Sequence, residues 1–436
     1  MVDDRLRDVL ETLLDSGFGE VEVFHKTGRS RLHRWSSAEG EVSSLRREEG
    51  WAVRAGDRRR SFFYAAAGAP SADVAWPDAD GQGLRLPSPR PIAPWTPPAD
   101  LEATLVGETE ARALFDAVDR ELGDELPGAR LVRGWLEDGS SRQEIVSSRE
   151  IAAGARHRAA SLVLEARGPR RGRGGRMLAT VERDARRFSP RTLARRMVDR
   201  LLVAERGQAP RRDRGEMLLA PELMAGLLAA LRPLWIGTRA AERAAALADR
   251  SGRLGSRAFS LLDDGRLRGG LLAAPCDGEG LPTREVVLVD DGVFRQPLIR
   301  WPEASARQRG TGCSRRASWR DLPALGPSHL YLRPEPGHAV GEMLAEISRG
   351  YYLLALDGAP HLDTAGERFS APVSGFALDS GRATGAVAGC WLCGSVAALL
   401  HGVVAVARDL TFTPLAGGMV GAPTTLVRGL ELRDRP

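Results

Sequence analysis

The chain has 436 residues and a formal net charge of +5, from 62 basic and 57 acidic side chains. This length can build two or three domains with their own cores, and so small a net charge disfavours a nucleic-acid-binding protein that relies on a concentrated basic patch. Four cysteines are too few for a disulfide scaffold of this size, and the charged N-terminal residues lack the apolar stretch of a signal peptide. We therefore expect a cytoplasmic protein.

Helix and strand patterns alternate along the first hundred residues. A leucine repeat predicts a helix over residues 4–18, and alternating polar and apolar residues predict a strand over residues 20–26. Residues 40–68 have the pattern of paired strands with a turn near Gly56. Eight prolines fall between residues 68 and 98. This segment is predicted to be a loop, because proline lacks the amide donor that a strand needs.

The next hundred residues continue with helix and strand signals. Residues 107–122 are predicted to form a helix, and residues 129–166 are predicted to form strands. An Arg-Gly run follows at residues 166–176; it could contact RNA, but a solvated loop is far more common. Ser189 followed by Pro190 is a strong helix start, because Ser caps the first amides and Pro needs no donor there.

The composition changes after residues 207–216. The remainder is rich in glycine, with short strands and turns such as Asp291-Gly292, which predicts a hairpin. We place a domain boundary near residue 210, which divides the chain into residues 1–210 and residues 211–436. The pattern as a whole predicts an α+β protein with two domains.

The segment PELMAGLLAALRPLWIG (221–237) predicts a short amphipathic helix. Its leucines recur every four residues from Leu223, and Pro221 suits the first helical position. Pro233 is predicted to end this helix, because it offers no amide and clashes with the preceding turn.

Residues 383–407 contain no charged side chain and are long enough to span a bilayer. Glycines, a serine and a histidine interrupt this run, so a buried strand followed by a core helix is the favoured interpretation. Cys390 and Cys393 lie within it at a spacing found in redox and zinc sites. A zinc site would need two distant ligands, such as Cys276 and Cys313, whereas buried free cysteine commonly packs like a small apolar residue.

Familiar catalytic motifs are missing from the sequence. There is no phosphate-binding P-loop, no G-x-S-x-G turn and no G-x-G-x-x-G fingerprint. The seven histidines are scattered, and no two lie one helical turn apart. The residues by themselves therefore indicate a two-domain α+β protein without a recognisable catalytic set.

Several blocks follow one another in the C-terminal half: DGEGLPTREVVLVDDGVFRQPLI (277–299), SHLYLRPEPG (328–337) and TAGERFSAPVSGFALDSGRATGAV (364–387). Their order resembles the TldD/PmbA family, once called modulators of DNA gyrase. The resemblance implies an N-terminal α/β domain and a mostly β C-terminal domain. It also implies a dimer whose cavity encloses extended peptides.

The family has two kinds of subunit. TldD-type chains carry an HExxxH helix and a later cysteine that bind zinc, whereas TldE-type (PmbA) chains lack them and pair with TldD to form a peptidase. In this chain the two histidines would fall near Ala229 and Leu234, and the glutamate near Ala230. These side chains cannot bind zinc or act as a general base. The resemblance therefore implies a non-catalytic TldE-type subunit without a cofactor, with zinc in an HExxxH partner.

The resemblance also implies residues that line the peptide channel. The candidates are Asp277, Glu279, Thr311, Gly312, Ser370 and Gly375. Each could equally be a residue that fixes the fold. The chain departs from the family pattern at residues 277–280, where Asp-Gly-Glu-Gly replaces Asp-Glu-Gly, and at His329, where the family has asparagine.

Two other functions stay open from the sequence. A self-sufficient metal-dependent peptidase would use unusual ligands such as Cys390, Cys393 and a histidine, and would retain metal through purification. A gyrase- or nucleic-acid-associated binding protein would show salt-dependent affinity, which the small net charge does not predict. The favoured hypothesis expects a TldD-like partner and an unfolded or linear peptide substrate, with neither membrane nor nucleic acid bound.

Overall fold

The computed structural model of the protein describes residues 3–71, 83–170, 175–210, 212–303, 310–363 and 366–435. The fold is α+β, as the sequence predicts, with one large sheet in the N-terminal half and two in the C-terminal half. The predicted division at residue 210 falls between the last N-terminal helix and the first C-terminal strand.

The N-terminal half forms a six-stranded antiparallel sheet with the order β3-β2-β1-β4-β5-β6. Its strands are β1 (Glu20–Ser36), β2 (Gly40–Gly56), β3 (Ser61–Ala66), β4 (Arg130–Ser147), β5 (Ala152–Arg167) and β6 (Arg176–Glu182). Strand β1 has 17 residues and extends far beyond the predicted strand 20–26. It does so because β2 and β4 pair with it along nearly its whole length.

Three helices pack on one face of this sheet, which we call the helical face. They are α1 (Asp4–Asp15), α2 (Glu108–Glu125) and α3 (Pro190–Arg206). Helix α1 covers Val21 and Val23 of β1, and α2 packs near Trp35 at the other end of the strand. The predicted start of α3 is confirmed, because the Ser189 side chain accepts a hydrogen bond from an amide of the first turn.

The opposite face of the sheet, the interdomain face, packs against the C-terminal half. Phe24 and Ala153 of the sheet contact Ala274, Cys276 and Trp319, and all five residues are buried. Because residues two apart on a strand share a face, the two faces of β1 carry the odd-numbered and the even-numbered residues respectively.

The C-terminal half contains two large sheets and one small one. The first has the order β11-β10-β9-β14-β21-β20, and the second has the order β19-β22-β8-β15-β17-β18-β23-β7, with β16 beside β17. The strands are β7 (Arg212–Arg214), β8 (Glu216–Leu219), β9 (Leu261–Asp264), β10 (Glu285–Asp290), β11 (Val293–Phe294), β12 (Ser314–Arg315), β13 (Ala324–Leu325), β14 (His329–Leu332), β15 (Arg349–Leu356), β16 (His361–Leu362), β17 (Arg368–Asp379), β18 (Arg382–Ser395), β19 (Val403–Val406), β20 (Thr411–Leu415), β21 (Gly418–Ala422), β22 (Thr425–Val427) and β23 (Glu431–Arg433). The helices are α4 (Pro221–Ala230), α5 (Arg232–Trp235), α6 (Ala240–Leu247), α7 (Val340–Glu346) and α8 (Val396–His401).

Two predictions about this half are confirmed. Residues Asp291 and Gly292 both have positive φ, at 48° and 79°, and connect β10 to β11 as a tight hairpin. The uncharged run 383–407 forms a strand and then a short helix, as predicted, namely β18 and α8, followed by β19; β18 is mostly buried at residues 390–393, whereas residues 382–385 are exposed. Among the residues the structure describes, no helix is both long and apolar enough to cross a membrane.

The prediction that Pro233 ends a helix is wrong. Helix α4 ends at Ala230, and Pro233 lies in the first turn of a separate short helix, α5. Proline is tolerated there because first-turn amides have no partner within the helix.

Two predicted loops are only partly within the described residues. Residues 67–71 and 83–98 contain no helix or strand, as the prolines predict, whereas residues 72–82 lie outside the described part. In the Arg-Gly run, residues 171–174 also lie outside it.

Candidate functional site

Asp277 organises the backbone of the turn at residues 277–280. Its Oδ1 accepts hydrogen bonds from the amides of Glu279 (2.9 Å) and Leu281 (3.0 Å), and its Oδ2 accepts one from the amide of Ser314 (3.1 Å). Burial, together with the nearby charge of Glu279, raises the pKa of Asp277 to about 7 in spite of these three donors. These contacts tie the turn to the neighbouring segment that contains Ser314.

Glu279 belongs to a buried ion network between the two halves of the chain. Its carboxylate lies 3.3 Å from a guanidinium nitrogen of Arg54 on β2, and Arg54 also pairs with Glu22 on β1. Arg316 completes the network by pairing with Glu22. The four side chains are at most 8% exposed. We call Glu22, Arg54, Glu279 and Arg316 the interdomain network.

Burial and charge act in opposite directions within the interdomain network. Burial alone would raise the pKa of Glu22, but the charges of Arg54 and Arg316 outweigh it and hold the pKa below its ordinary value. Burial also opposes the charge on Arg54, whereas Glu22 and Glu279 raise the Arg54 pKa above its ordinary value. Glu22 and Arg54 therefore keep each other ionised although they are removed from water.

Thr311 and Gly312 lie beside this turn and shape the backbone there. The Thr311 hydroxyl donates to the carbonyl of Ile299 (3.0 Å) and accepts from the Ile299 amide (3.1 Å). Gly312 has a φ of 70°, and a Cβ there would lie 2.3 Å from the carbonyl oxygen of Pro282. Glycine is therefore required at this position by both backbone conformation and close approach.

Ser370 and Gly375 lie elsewhere, on β17 of the second C-terminal sheet. Ser370 stands opposite Cys393 of β18, and Gly375 lies beside a register shift where a Cβ would approach the Tyr352 carbonyl oxygen to 2.1 Å. The structure thus brings together four of the six predicted channel residues, Asp277, Glu279, Thr311 and Gly312. Their buried contacts are structural, and a role in a peptide channel stays a prediction.

The positions that resemble the zinc motif lie at the end of α4 and in α5. Ala229 and Leu234 pack against the main hydrophobic core, and the Trp235 indole donates a hydrogen bond to the carbonyl of Leu228 (3.0 Å). These apolar side chains do not fit a zinc ion, which binds through nitrogen, sulfur or oxygen ligands. Within the described ranges, no group of three or more His, Cys, Asp and Glu residues is arranged to hold a metal ion.

Cys390 and Cys393 cannot converge on one ion. They lie three residues apart on the regularly paired part of β18, so their side chains point to opposite faces of the sheet. Both thiols are free and buried, and burial raises the pKa of Cys390 to about 12 and that of Cys393 above its ordinary value. Neither has the exposed, activated thiolate that redox or metal chemistry requires.

An open groove on the helical face of the N-terminal sheet was not predicted from the sequence. Helices α1 and α2 cover opposite ends of β1, and a cavity of about 650 Å³ lies between the covered ends. Its lining includes Thr27, Arg29, Arg47, Ser140 and Arg156, which we call the arginine groove. Arginines at alternate positions, such as Arg29 and Arg31 of β1, are the only sequence signal that could have indicated it.

The outer edge of β2 lies beside the arginine groove. Strand β3 pairs only with Trp51–Gly56, and in the part of the chain that the structure describes no strand pairs with the outer edge of residues 40–50. At 3.2–3.4 Å per residue this edge extends about 35 Å. Such an edge presents amide and carbonyl groups that an extended chain can pair with.

Solved structures of similar fold cover the whole chain. TldE from Thermococcus kodakarensis superposes with a TM-score of 0.83 at 19% identity, over 98% of this chain and 100% of that chain. A protein described as a modulator of a DNA gyrase, from Thermotoga maritima, superposes with a TM-score of 0.80 at 15% identity, over 98% of this chain and 99% of that chain. A further protein so described, from Bacteroides thetaiotaomicron, has a TM-score of 0.78 at 15% identity, covering 99% and 98%.

Sequence comparison agrees with the fold. An uncharacterized protein of Methanocaldococcus jannaschii is 26% identical over 125 residues, an alignment that spans 28% of this chain and 29% of that protein. Residues 212–433 match the family model of the PmbA/TldA metallopeptidase C-terminal domain. Since this match covers just over half of the chain, the chain belongs to the PmbA/TldD family.

Proposed function

We propose that this chain is a TldE-type, non-catalytic subunit of a two-subunit zinc metallopeptidase that processes unfolded or linear peptides. The observation that carries the proposal is the chemistry at residues 229–234. Where the family's catalytic subunits would place two histidines and a glutamate, this chain has Ala229, Leu234 and Ala230. Membership of the PmbA/TldD family and the similarity of fold to TldE support it.

In this proposal the zinc and the general base belong to an HExxxH partner in the cytoplasm. This chain completes the wall of the peptide cavity and holds the peptide extended. The free edge of β2 at residues 40–50 supports such a role, because its backbone amides and carbonyls can pair with any sequence that lacks structure of its own. Backbone pairing also suits a peptidase that accepts varied peptides.

The test is a cleavage assay on one unfolded peptide with zinc. The chain is assayed alone, its HExxxH partner is assayed alone, and the two are then mixed in equal amounts. We expect cleavage in the mixture and none by this chain alone. Chelator-sensitive cleavage by this chain alone would contradict the proposal and favour a self-sufficient metal enzyme.

A matched pair of variants distinguishes a role of β2 in peptide binding from a role of the buried sheet in folding. Leu45→Pro removes an amide that points to the exposed edge of β2, and Val21→Pro disrupts the buried part of β1. If the β2 edge holds the peptide, Leu45→Pro raises KM in the mixture and leaves the fold intact, whereas Val21→Pro unfolds the chain. An unchanged KM in a folded Leu45→Pro variant would remove the β2 edge from the proposal.

A further inference from the structure

We propose that the arginine groove binds the acidic side chains of an extended peptide. This inference rests on the proposed function, because it names the class of peptide that the subunit would hold. It concerns Arg29 and Arg47, which lie on the helical face between the two ends that α1 and α2 cover.

Arg29 and Arg47 face each other on two paired strands. They are direct partners in the register of β1 and β2, and both are exposed. Among the described residues, neither has a carboxylate or a hydrogen-bond partner. Like charges directly opposite on neighbouring strands repel, so an anion placed between them would remove an unfavourable interaction.

The carboxylates that line the groove already have partners. Glu49 is hydrogen bonded to His25 at 3.1 Å, whereas the Glu48 side chain lies on the opposite face of β2, 3.2 Å from the Lys26 ammonium. Glu102 pairs with Arg156. The acidic side chains of the groove are therefore engaged, and the positive charge of Arg29 and Arg47 remains available to a ligand.

Neutral donors complete the site. Ser140 stands opposite Arg29 on the next strand, and Thr27 is two residues away on the same face of β1. Two guanidinium groups and two hydroxyls match a carboxylate, because guanidinium binds it through paired, charge-assisted hydrogen bonds. A volume of about 650 Å³ is large enough for several peptide side chains.

An acidic peptide fits this surface better than a nucleic acid does. A phosphate backbone carries a charge at every nucleotide, whereas the groove offers two arginines without a carboxylate partner among the described residues. A peptide can carry a carboxylate at one position and neutral residues at the others. Arg47 also lies within the free edge of β2, so a peptide paired with that edge brings its side chains beside the groove.

The experiment measures fluorescence anisotropy of unstructured peptides on the equimolar mixture of this chain and its HExxxH partner. The peptides have equal length and amidated termini, and differ only in two central residues, Glu or Gln. We expect the Glu peptide to bind about tenfold more tightly, the size of one good charge-assisted contact. The double variant Arg29→Gln/Arg47→Gln should abolish this preference while binding the Gln peptide as before.

A matched control keeps the net charge change constant. Arg34→Gln/Arg46→Gln removes two exposed arginines from the same two strands, but on the interdomain face, and should retain the preference. Equal affinity for the Glu and Gln peptides would overturn the inference and leave the proposed function standing. Failure to bind either peptide would contradict the proposed function itself.

Two further probes test other ligands. A single-stranded oligonucleotide that binds more tightly than the Glu peptide, and loses that affinity in Arg29→Gln/Arg47→Gln, would overturn the inference in favour of a phosphate site. A preference for a free over an amidated C-terminus, without any preference for Glu, would also overturn it, because the ligand would then be a terminal carboxylate.

Discussion

Strands β1 and β2 carry two sets of charges on opposite faces, and the two sets differ in how they are compensated. On the interdomain face, Arg54 pairs with Glu22 and Glu279 in a network that is at most 8% exposed. On the helical face, Arg29 stands opposite Arg47 in an open groove and no carboxylate pairs with either within the described residues.

The difference follows from access to water. Removing a charge from water costs several kcal/mol, so each ion of the interdomain network needs an opposite charge close by. In the arginine groove, solvent and salt screen the repulsion, and two like charges can face each other at small cost. An uncompensated charge in the interdomain network would therefore destabilise the fold. An uncompensated charge in the arginine groove indicates a surface that is available to a ligand.

The largest expected effect comes from breaking the interdomain network. Arg54→Met leaves Glu22 and Glu279 buried with only Arg316 to compensate them, and should lower the free energy of unfolding by about 3–5 kcal/mol. Chemical denaturation followed by circular dichroism measures this change. The control Arg34→Met, at an exposed position of β1, should change it by less than about 0.5 kcal/mol. Equal effects of the two substitutions would show that the network contributes nothing.

A second effect concerns a buried group that is kept neutral instead of paired. His329 is fully buried; its Nε2 accepts the amide of Leu272 (3.1 Å), and its Nδ1 donates to the carbonyl of Asp264 (2.8 Å). Burial lowers the His329 pKa from its ordinary 6.5 to about 4. Between these values the unfolded chain binds more protons than the folded one. The stability contributed by neutral His329 is therefore present above pH 6.5 and is lost as the pH falls toward 4.

The variant His329→Asn, which has the residue found in the family pattern, should flatten this part of the stability–pH curve by up to about 3 kcal/mol. The free energy of unfolding of both proteins is measured from neutral to acidic pH by thermal or chemical denaturation. Groups that titrate alike in both proteins cancel in the difference between the two curves. An identical slope in His329→Asn and the unsubstituted protein would mean that His329 does not stay neutral.

The smallest expected effect comes from the open pair. Arg29→Gln/Arg47→Gln removes a like-charge repulsion and should raise the free energy of unfolding by up to about 0.5 kcal/mol. The gain should be larger at low ionic strength, because salt screens exposed charges. The same denaturation experiment at two salt concentrations measures it. A loss of stability would show that the two arginines have favourable partners in the folded protein.

Local signals predicted the parts of the fold that local interactions decide. Ser189 and Pro190 mark the start of α3, and Asp291 and Gly292 mark a hairpin, because capping and turn preferences act over a few residues. The full length of β1 was not predicted. It depends on pairing with β4, whose sequence lies more than a hundred residues away.

For the candidate site, too, one feature is visible in the sequence and another required the structure. The apolar character of Ala229, Ala230 and Leu234 is visible in the sequence and determines that these positions cannot bind zinc. The separation of Cys390 from Cys393 became clear only once residues 382–395 were known to form a strand, because strand side chains alternate between faces.

The amino-acid sequence by itself therefore determined the family, the helix starts and the tight turns, since each depends on the identity of neighbouring residues. Tertiary structure alone decided that Arg54 meets Glu279, which is 225 residues away, and that Arg29 stands opposite Arg47 with no counterion among the described residues. The strength of an interaction between two charges depends on their separation and on their exposure to water. The topology of the sheet determines both quantities for residues that are distant in the sequence.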